Sequence, residues 1–357
     1  MTNTAFAGRI GAAWRGVKGL VPVPTLIIGG FWVFILALGT TQGLPVSSLL
    51  TDTIRRFGMW GLLVLAMVPS IQSGTGPNFA LPVGVACGLL AQVCAIEIGY
   101  EGAAWLVASA GMAAAFGCVA GYVYDKLMNA VKGSEMTIAT YTGFSVTYLF
   151  CIIWLAAPFR SSKMGWMLGS GLRNTIDLNA VGATQILNDF LTFQLGGAVI
   201  PTGMLLVFAG CSLVVWLFFR SRAGQAVSAV GQNPMFARAS GINVDNSRIF
   251  ANMLSTALAA LGIIVYSQSY GFTALYDAPL MMAFQAVAAV LVGGASAQRA
   301  KIFNVVIGTM IFQGLLTNTP PVLGRVFPGT DLTEIMRMVV QNGIILYALT
   351  RVKGAAE

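Results

Sequence analysis

Residues 199–219 read VIPTGMLLVFAGCSLVVWLFF, and residues 220–248 directly after them read RSRAGQAVSAVGQNPMFARASGINVDNSR. The first run carries no charge and is long enough for a helix to cross about 30 Å of hydrocarbon. The second begins with two arginines and stays polar, as a chain does on leaving a membrane face. Working outward in both directions, the same alternation of long apolar runs and short polar connectors recurs. Across 357 residues, 57% are apolar and 9% charged, where a soluble domain carries roughly a quarter charged. So few charges cannot cover a water-facing surface, so lipid is the covering solvent. The apolar runs are long and do not alternate, which excludes the short strands of an outer-membrane barrel. An all-α polytopic membrane protein follows.

Spans are expected near 20–40, 57–74, 78–96, 102–124, 135–157, 199–219, 248–268, 279–297, 302–318 and 332–350, about ten in all. They form a transmembrane unit over 20–350, with a cytoplasmic N-terminal segment 1–19 and a cytoplasmic tail 351–357. Residues 1–19 hold Arg9, Arg15 and Lys18 but no short apolar core with a small-residue cleavage site, so the first run is expected to stay as a helix. With both termini inside, 13 of the 20 Lys and Arg fall on inner segments. The outer seven are Arg55, Arg56, Arg160, Lys163, Arg173, Arg325 and Arg337, a bias in the direction of the positive-inside rule. The net charge of +8 is scattered singly at span ends, which is not a nucleic-acid-binding stripe. All five cysteines lie in apolar segments without a C-x-x-C pair and read as small buried hydrophobes.

Three segments interrupt the pattern. Residues 69–84, PSIQSGTGPNFALPVG, cannot sustain a helical hydrogen-bond ladder, and Gln72, Ser73, Thr75 and Asn78 are polar. Two readings stand: a broken helix lining a substrate pathway, or a tight turn at the cytoplasmic face. The outer connection 158–198 is long for a loop between packed helices. It is expected to fold as an outer surface helix, either a docking surface or a solvated connector. Within 220–247, Asn233 can cap a helix and Pro234 can start it, while Gly241 can end it in the left-handed region. A short helix from about Pro234 to Ser240 would present Met235, Phe236 and Arg238, suited to a groove on another protein or to the lipid interface.

Absences narrow the chemistry. There is no histidine, hence no histidine-based triad or metal site. No G-x-x-x-x-G-K-[ST] loop is present, so ATP is not bound in that way. Glu97, Glu135 and Glu334 lie near span ends, which gives an ion-coupled mechanism no mid-membrane carboxylate. Gly117 and Gly121 have the spacing of close helix packing.

Residues 220–248 resemble the cytoplasmic coupling region of the permeases that serve ABC importers for ribose-type simple sugars and branched-chain amino acids. The match runs through Gly224, Ala229, Gly231, Asn233, Ala237, Arg238, Gly241, Ile242 and Asn243. It continues in residues 258–264, in AFQAVAAVLVGGAS at 283–296 and in KIFNVVIGTMIFQGLLTN at 301–318, about 100 residues in all. Simple-sugar members usually carry a Gly-Gly-Ile-Asp-Leu-Ser-type motif on an early span. Here Gln72–Asn78 keeps the glycine-rich break and lacks the aspartate. The resemblance implies a type II-like ABC importer permease in a bacterial or archaeal plasma (inner) membrane. It implies a second permease copy (homodimer or heterodimer), two cytoplasmic ATPase subunits carrying ATP and magnesium, and an external solute-binding protein. It implies no cofactor and no enzymatic activity in this chain. Gly231, Asn233, Pro234, Met235, Phe236, Arg238 and Gly241 are the expected coupling residues. Gln72, Ser73, Asn78, Phe79, Phe284 and Gln285 are the expected pathway residues, or alternatively glue between helices. Uncharged polar groups beside aromatics favour a simple sugar. A nucleoside or branched-chain amino acid is the alternative cargo, an ion-coupled secondary transporter the alternative mechanism, and a membrane-embedded enzyme the remotest reading.

Overall fold

A computed structural model describes residues 22–131, 133, 135–166, 171–327 and 332–353. The expected N-terminal segment 1–19, the end of the tail (354–357), Lys132 and Asp331 lie outside the described residues. The helices are α1 (Val23–Thr41), α2 (Val46–Leu65), α3 (Met67–Gln72), α4 (Leu81–Ile98), α5 (Gly102–Ala130) and α6 (Glu135–Ala156). After the long connection come α8 (Thr202–Arg220), α9 (Arg222–Gln232), α10 (Pro234–Ala239), α11 (Val244–Tyr270), α12 (Ala278–Val292), α13 (Ile302–Val326) and α14 (Leu332–Lys353), with α7 (Ile186–Asp189) a single turn inside the connection. Among the described residues, eight segments are long and apolar enough to cross a membrane, α2 and α3 counting as one; α12 is shorter and α14 is not among the eight. Proline starts several of these helices, at Pro24, Pro82, Pro234 and Pro279, where its missing N–H costs no intrahelical bond.

The burial pattern sorts the helices. Most of the apolar stretch of α2–α3 and of α4 is buried, whereas only about a fifth of the residues in the apolar stretches of α1, α5, α6 and α8 are buried. The outer set shows Ile27, Val107, Tyr141 and Leu213 to the surroundings, which is the arrangement of a lipid-facing ring around a protein-packed centre. The long α11 crosses this centre against α5, α4 and α2. The Gly117 and Gly121 spacing does serve close packing: a Cβ on either would stand 2.7 Å from the α11 backbone, at Ala257 and Met253 respectively. At 27 residues, α11 rises about 40 Å. One end therefore stands beside α10 and the other at Gly271, whose φ of +92° closes the helix.

Two expectations change. The second span starts at Val46, eleven residues earlier than read, so Arg55 and Arg56 sit within a helix and not in a loop. Asp52, Arg55 and Arg56 look like a connector in sequence, but their neighbours Thr53 and Phe57 are buried and tie the turn into the bundle. The connection 158–198 is not a surface helix among the described residues. It holds β1 (Thr175–Asp177), a 3-10 turn, α7 and β2 (Phe193–Leu195), which pairs with β3 (Ala198–Ile200). Strand β1 pairs antiparallel with β4 (Phe272–Ala274), Thr175 facing Ala274, so the connection is stitched to the far end of α11. Lys163 donates a hydrogen bond to Glu101, and this bond, with the ammonium charge, holds the Glu101 carboxyl below its ordinary pKa.

Candidate functional site

The helix break and the coupling region meet at one point. Gly231, near the end of α9, lies so close to α3 that a Cβ there would stand 2.0 Å from the Gln72 carbonyl oxygen. The Gln72 side chain bridges two further elements: Ser228 Oγ donates to its Oε1 at 3.2 Å, and its Nε2 donates to the Ala300 carbonyl at 2.5 Å. The glutamine thus links α9 to the segment that leads into α13. Ser73 is fully buried and donates to the Ser70 carbonyl at 2.7 Å. Asn78 donates to Ser255 on α11 at 2.9 Å and accepts from the Ala80 N–H. The break packs against α9, with its polar groups bonded inside the protein. Phe79 lies 6.0 Å from Phe284, which lies 6.4 Å from Phe144, an aromatic junction of the break, α6 and α12.

The coupling region itself is two helices where sequence reading saw one. Ser221 caps α9 by accepting from Gly224 N–H, and Asn233 caps α10 by accepting from Phe236 N–H at 3.0 Å. Gly241, at φ +81°, ends the second helix. Ala237 packs inward with Val230 and Val244. Met235 and Phe236 point away, 84% and 68% exposed, with Arg238 exposed beside them. A six-residue helix held rigidly from one side and apolar on the other fits insertion into a partner groove.

At the opposite end, five helices enclose a cleft. Two adjoining hollows of about 440 and 260 Å³ share Trp60, Tyr266, Tyr270 and Gln285. Trp60 stands edge-on to Tyr266 at 5.7 Å, and Tyr266 stacks on Tyr270 at 5.5 Å with the planes 10° apart. The Arg56 guanidinium lies 5.4 Å from the centre of the Tyr270 ring, and Arg337 pairs with Glu334 through two donors. Gln313 lines the larger hollow, is 3% exposed, and its Nε2 has no hydrogen-bond partner among the described residues.

Of the six expected pathway residues, only Gln285 lines this cleft. Arg56 was hidden from sequence reading by its assignment to a loop, and α13 by the span being ended at Asn318. In fact α13 runs on through Pro320 and Pro321.

A second group escaped notice. Asp125, fully buried on α5, accepts from Asn252 on α11 and from Asn129 at 2.7 Å. Arg248, at the start of α11, lies 3.6 Å from Glu135 on α6. These groups fasten α5 and α6 to the helix that leaves the coupling region. The signal available was one aspartate four residues before an asparagine on an apolar helix.

The sequence matches the family model described as "Branched-chain amino acid transport system / permease component" over residues 49–349. It is 26% identical over 334 residues to the galactofuranose transporter permease protein YtfT of Escherichia coli (strain K12), covering 91% of this chain and 87% of that one. It is also 26% identical over 249 residues to the autoinducer 2 import system permease protein LsrC of Yersinia pseudotuberculosis serotype O:3 (strain YPIII), covering 68% of this chain and 62% of that one. No solved structure matches. A match over most of the chain, on a bundle of membrane-crossing helices, makes this protein a multi-pass membrane permease of that transport-system family.

Proposed function

We propose that the chain is the membrane-spanning subunit of an ATP-driven, binding-protein-dependent importer of a simple sugar, in the plasma (inner) membrane of a bacterium or archaeon. The observation that carries the reading is the capped helix α10, anchored through α9 to the Gln72 carbonyl and presenting Met235 and Phe236 outward. Such a helix can push on the bundle when a partner moves. ATP and magnesium act on that partner, a pair of cytoplasmic ATPase subunits, while this chain holds no cofactor and catalyses no reaction. A second permease, a copy of this chain or a relative, completes the passage. An external binding protein delivers the solute at the end carrying 158–198. Residues 20–350 form the permease unit, with 220–247 the coupling region and both termini cytoplasmic.

Sugar as cargo is supported by the similarity to a galactofuranose transporter permease and by a cleft with aromatic and uncharged polar groups. Motion of α10 would travel through Gly231 and Gln72 into the break and on to the Ala300 segment. Asn78 and Phe79 on the break, and Phe284 on α12, then shift relative to α11. The test is reconstitution of the importer with Arg238→Glu or Phe236→Glu. At least a tenfold loss of ATP-dependent uptake, with the purified chain still folded, is expected. Unchanged coupling of uptake to ATP hydrolysis would remove α10 from this role.

A further inference from the structure

The cleft between α2, α11, α12, α13 and α14 contains groups that no other part of the fold requires. Pro320 and Pro321 lie inside α13 and have no N–H, so the carbonyls of Leu316 and Thr317 lose their usual partners four residues on. Leu316, Thr317 and Pro320 all line the larger hollow. One turn earlier, Gln313 lines the same space, and its buried Nε2 has no hydrogen-bond partner among the described residues. Acceptors and a donor therefore converge on a single cavity. Polar groups at membrane depth without a partner persist where they face a water-filled cavity or a ligand.

Opposite them stands an aromatic wall of Trp60 and Tyr266. Of the charges nearby, Arg337 pairs with Glu334, Arg56 lies against the Tyr270 ring, and Asp277 lines the smaller hollow. A combined volume of this size, with an aromatic wall and many polar groups, describes a small-molecule site. The geometry points to a transit site for one neutral sugar ring. The ring lays its C–H face on Trp60 and Tyr266, accepts from Gln313 Nε2 and donates hydroxyl protons to the Leu316 and Thr317 carbonyls. This placement rests on the importer reading above and adds the site within the bundle.

The test uses the whole importer in proteoliposomes, with a panel of labelled aldoses (D-ribose, D-galactose, L-arabinose), uridine and L-leucine as probes. At least one aldose enters in an ATP-dependent manner. Its uptake falls at least tenfold in Trp60→Ala and Gln313→Ala and recovers in Trp60→Phe, while ATPase subunits still co-purify. Thr317→Cys, treated with a thiol-reactive reagent in the assembled importer, is labelled more slowly when that aldose is saturating. The unsubstituted protein is the control, since none of its five cysteines lines the cleft. Wild-type uptake by Trp60→Ala and Gln313→Ala, or a labelling rate indifferent to the sugar, overturns the site and leaves the importer standing. Uptake of uridine or L-leucine with none of any aldose overturns the solute class. Uptake that needs no ATP overturns the importer reading itself.

Discussion

Gly231 has no side chain, and the carbonyl of Gln72 fills the space one would need. Gly231→Ala therefore forces α9 and α3 apart, an overpacking strain of about 1–3 kcal/mol. Expected is a folded permease whose ATPase partner hydrolyses ATP without moving solute, read as the ratio of uptake to ATP hydrolysis in proteoliposomes; an unchanged ratio would show that this contact transmits nothing. Asp125 makes a different prediction. Asp125→Ala leaves the buried Asn252 amide without its acceptor, a loss of about 1–3 kcal/mol. A lower melting temperature of the purified chain in detergent checks it. At this scale the sequence was legible where a local rule applies: Asn233 as a cap, Gly241 as a left-handed stop, Gly117 and Gly121 as a packing face. It was silent on Arg56 and Gln313, because which face of an apolar helix meets a cavity depends on helices far away in the chain.

At the scale of elements, charges and prolines misled most. Asp52, Arg55 and Arg56 made the start of α2 look like a loop, and Pro320 and Pro321 made α13 look ended. Both segments are held helical by neighbours: Asn318 of α13 donates to Thr53 of α2 at 3.1 Å, which clamps the two together inside the bundle. The other long helices follow the apolar runs closely, since span length is set by the hydrocarbon that must be crossed. The helix α10 depends on its cap. Asn233→Ala removes the oxygen that accepts the Phe236 N–H, worth about 1 kcal/mol of helix stability. Faster amide exchange across 234–239 in the free permease, and weaker ATPase binding, are the expected readings. Where the outer connection meets α5, the Glu101 pKa lies below its ordinary value because of Lys163. Its contribution to holding the two together is present above the ordinary carboxylate pKa and disappears as pH falls through the lowered one. Lys163→Met should abolish that pH dependence, followed as proteolysis of the 158–166 segment.

The whole molecule has two working ends joined by buried helices. The apolar-tipped helix α10, proposed above as the coupling element, sits at one end, and an aromatic and polar cleft at the other. Between them run the α2–α3 segment, with Trp60 at the cleft and Gln72 at the coupling contact, and α11, with Tyr266 at the cleft and Arg248 at the coupling end. A change at α10 thus has continuous helices along which to reach the cleft. Membrane embedding was readable from composition alone, and the family from the coupling region and the spans after it. The cleft was not, since no single stretch of the chain contains it. The central claim is that solute movement draws on ATP through a partner at α10. The most direct measurement is uptake of labelled sugar into proteoliposomes holding this permease with its ATPase and binding protein. The account predicts uptake only with ATP and all components present, unaffected when proton and sodium gradients are collapsed. Uptake by the chain alone, abolished by collapsing a gradient, would contradict it.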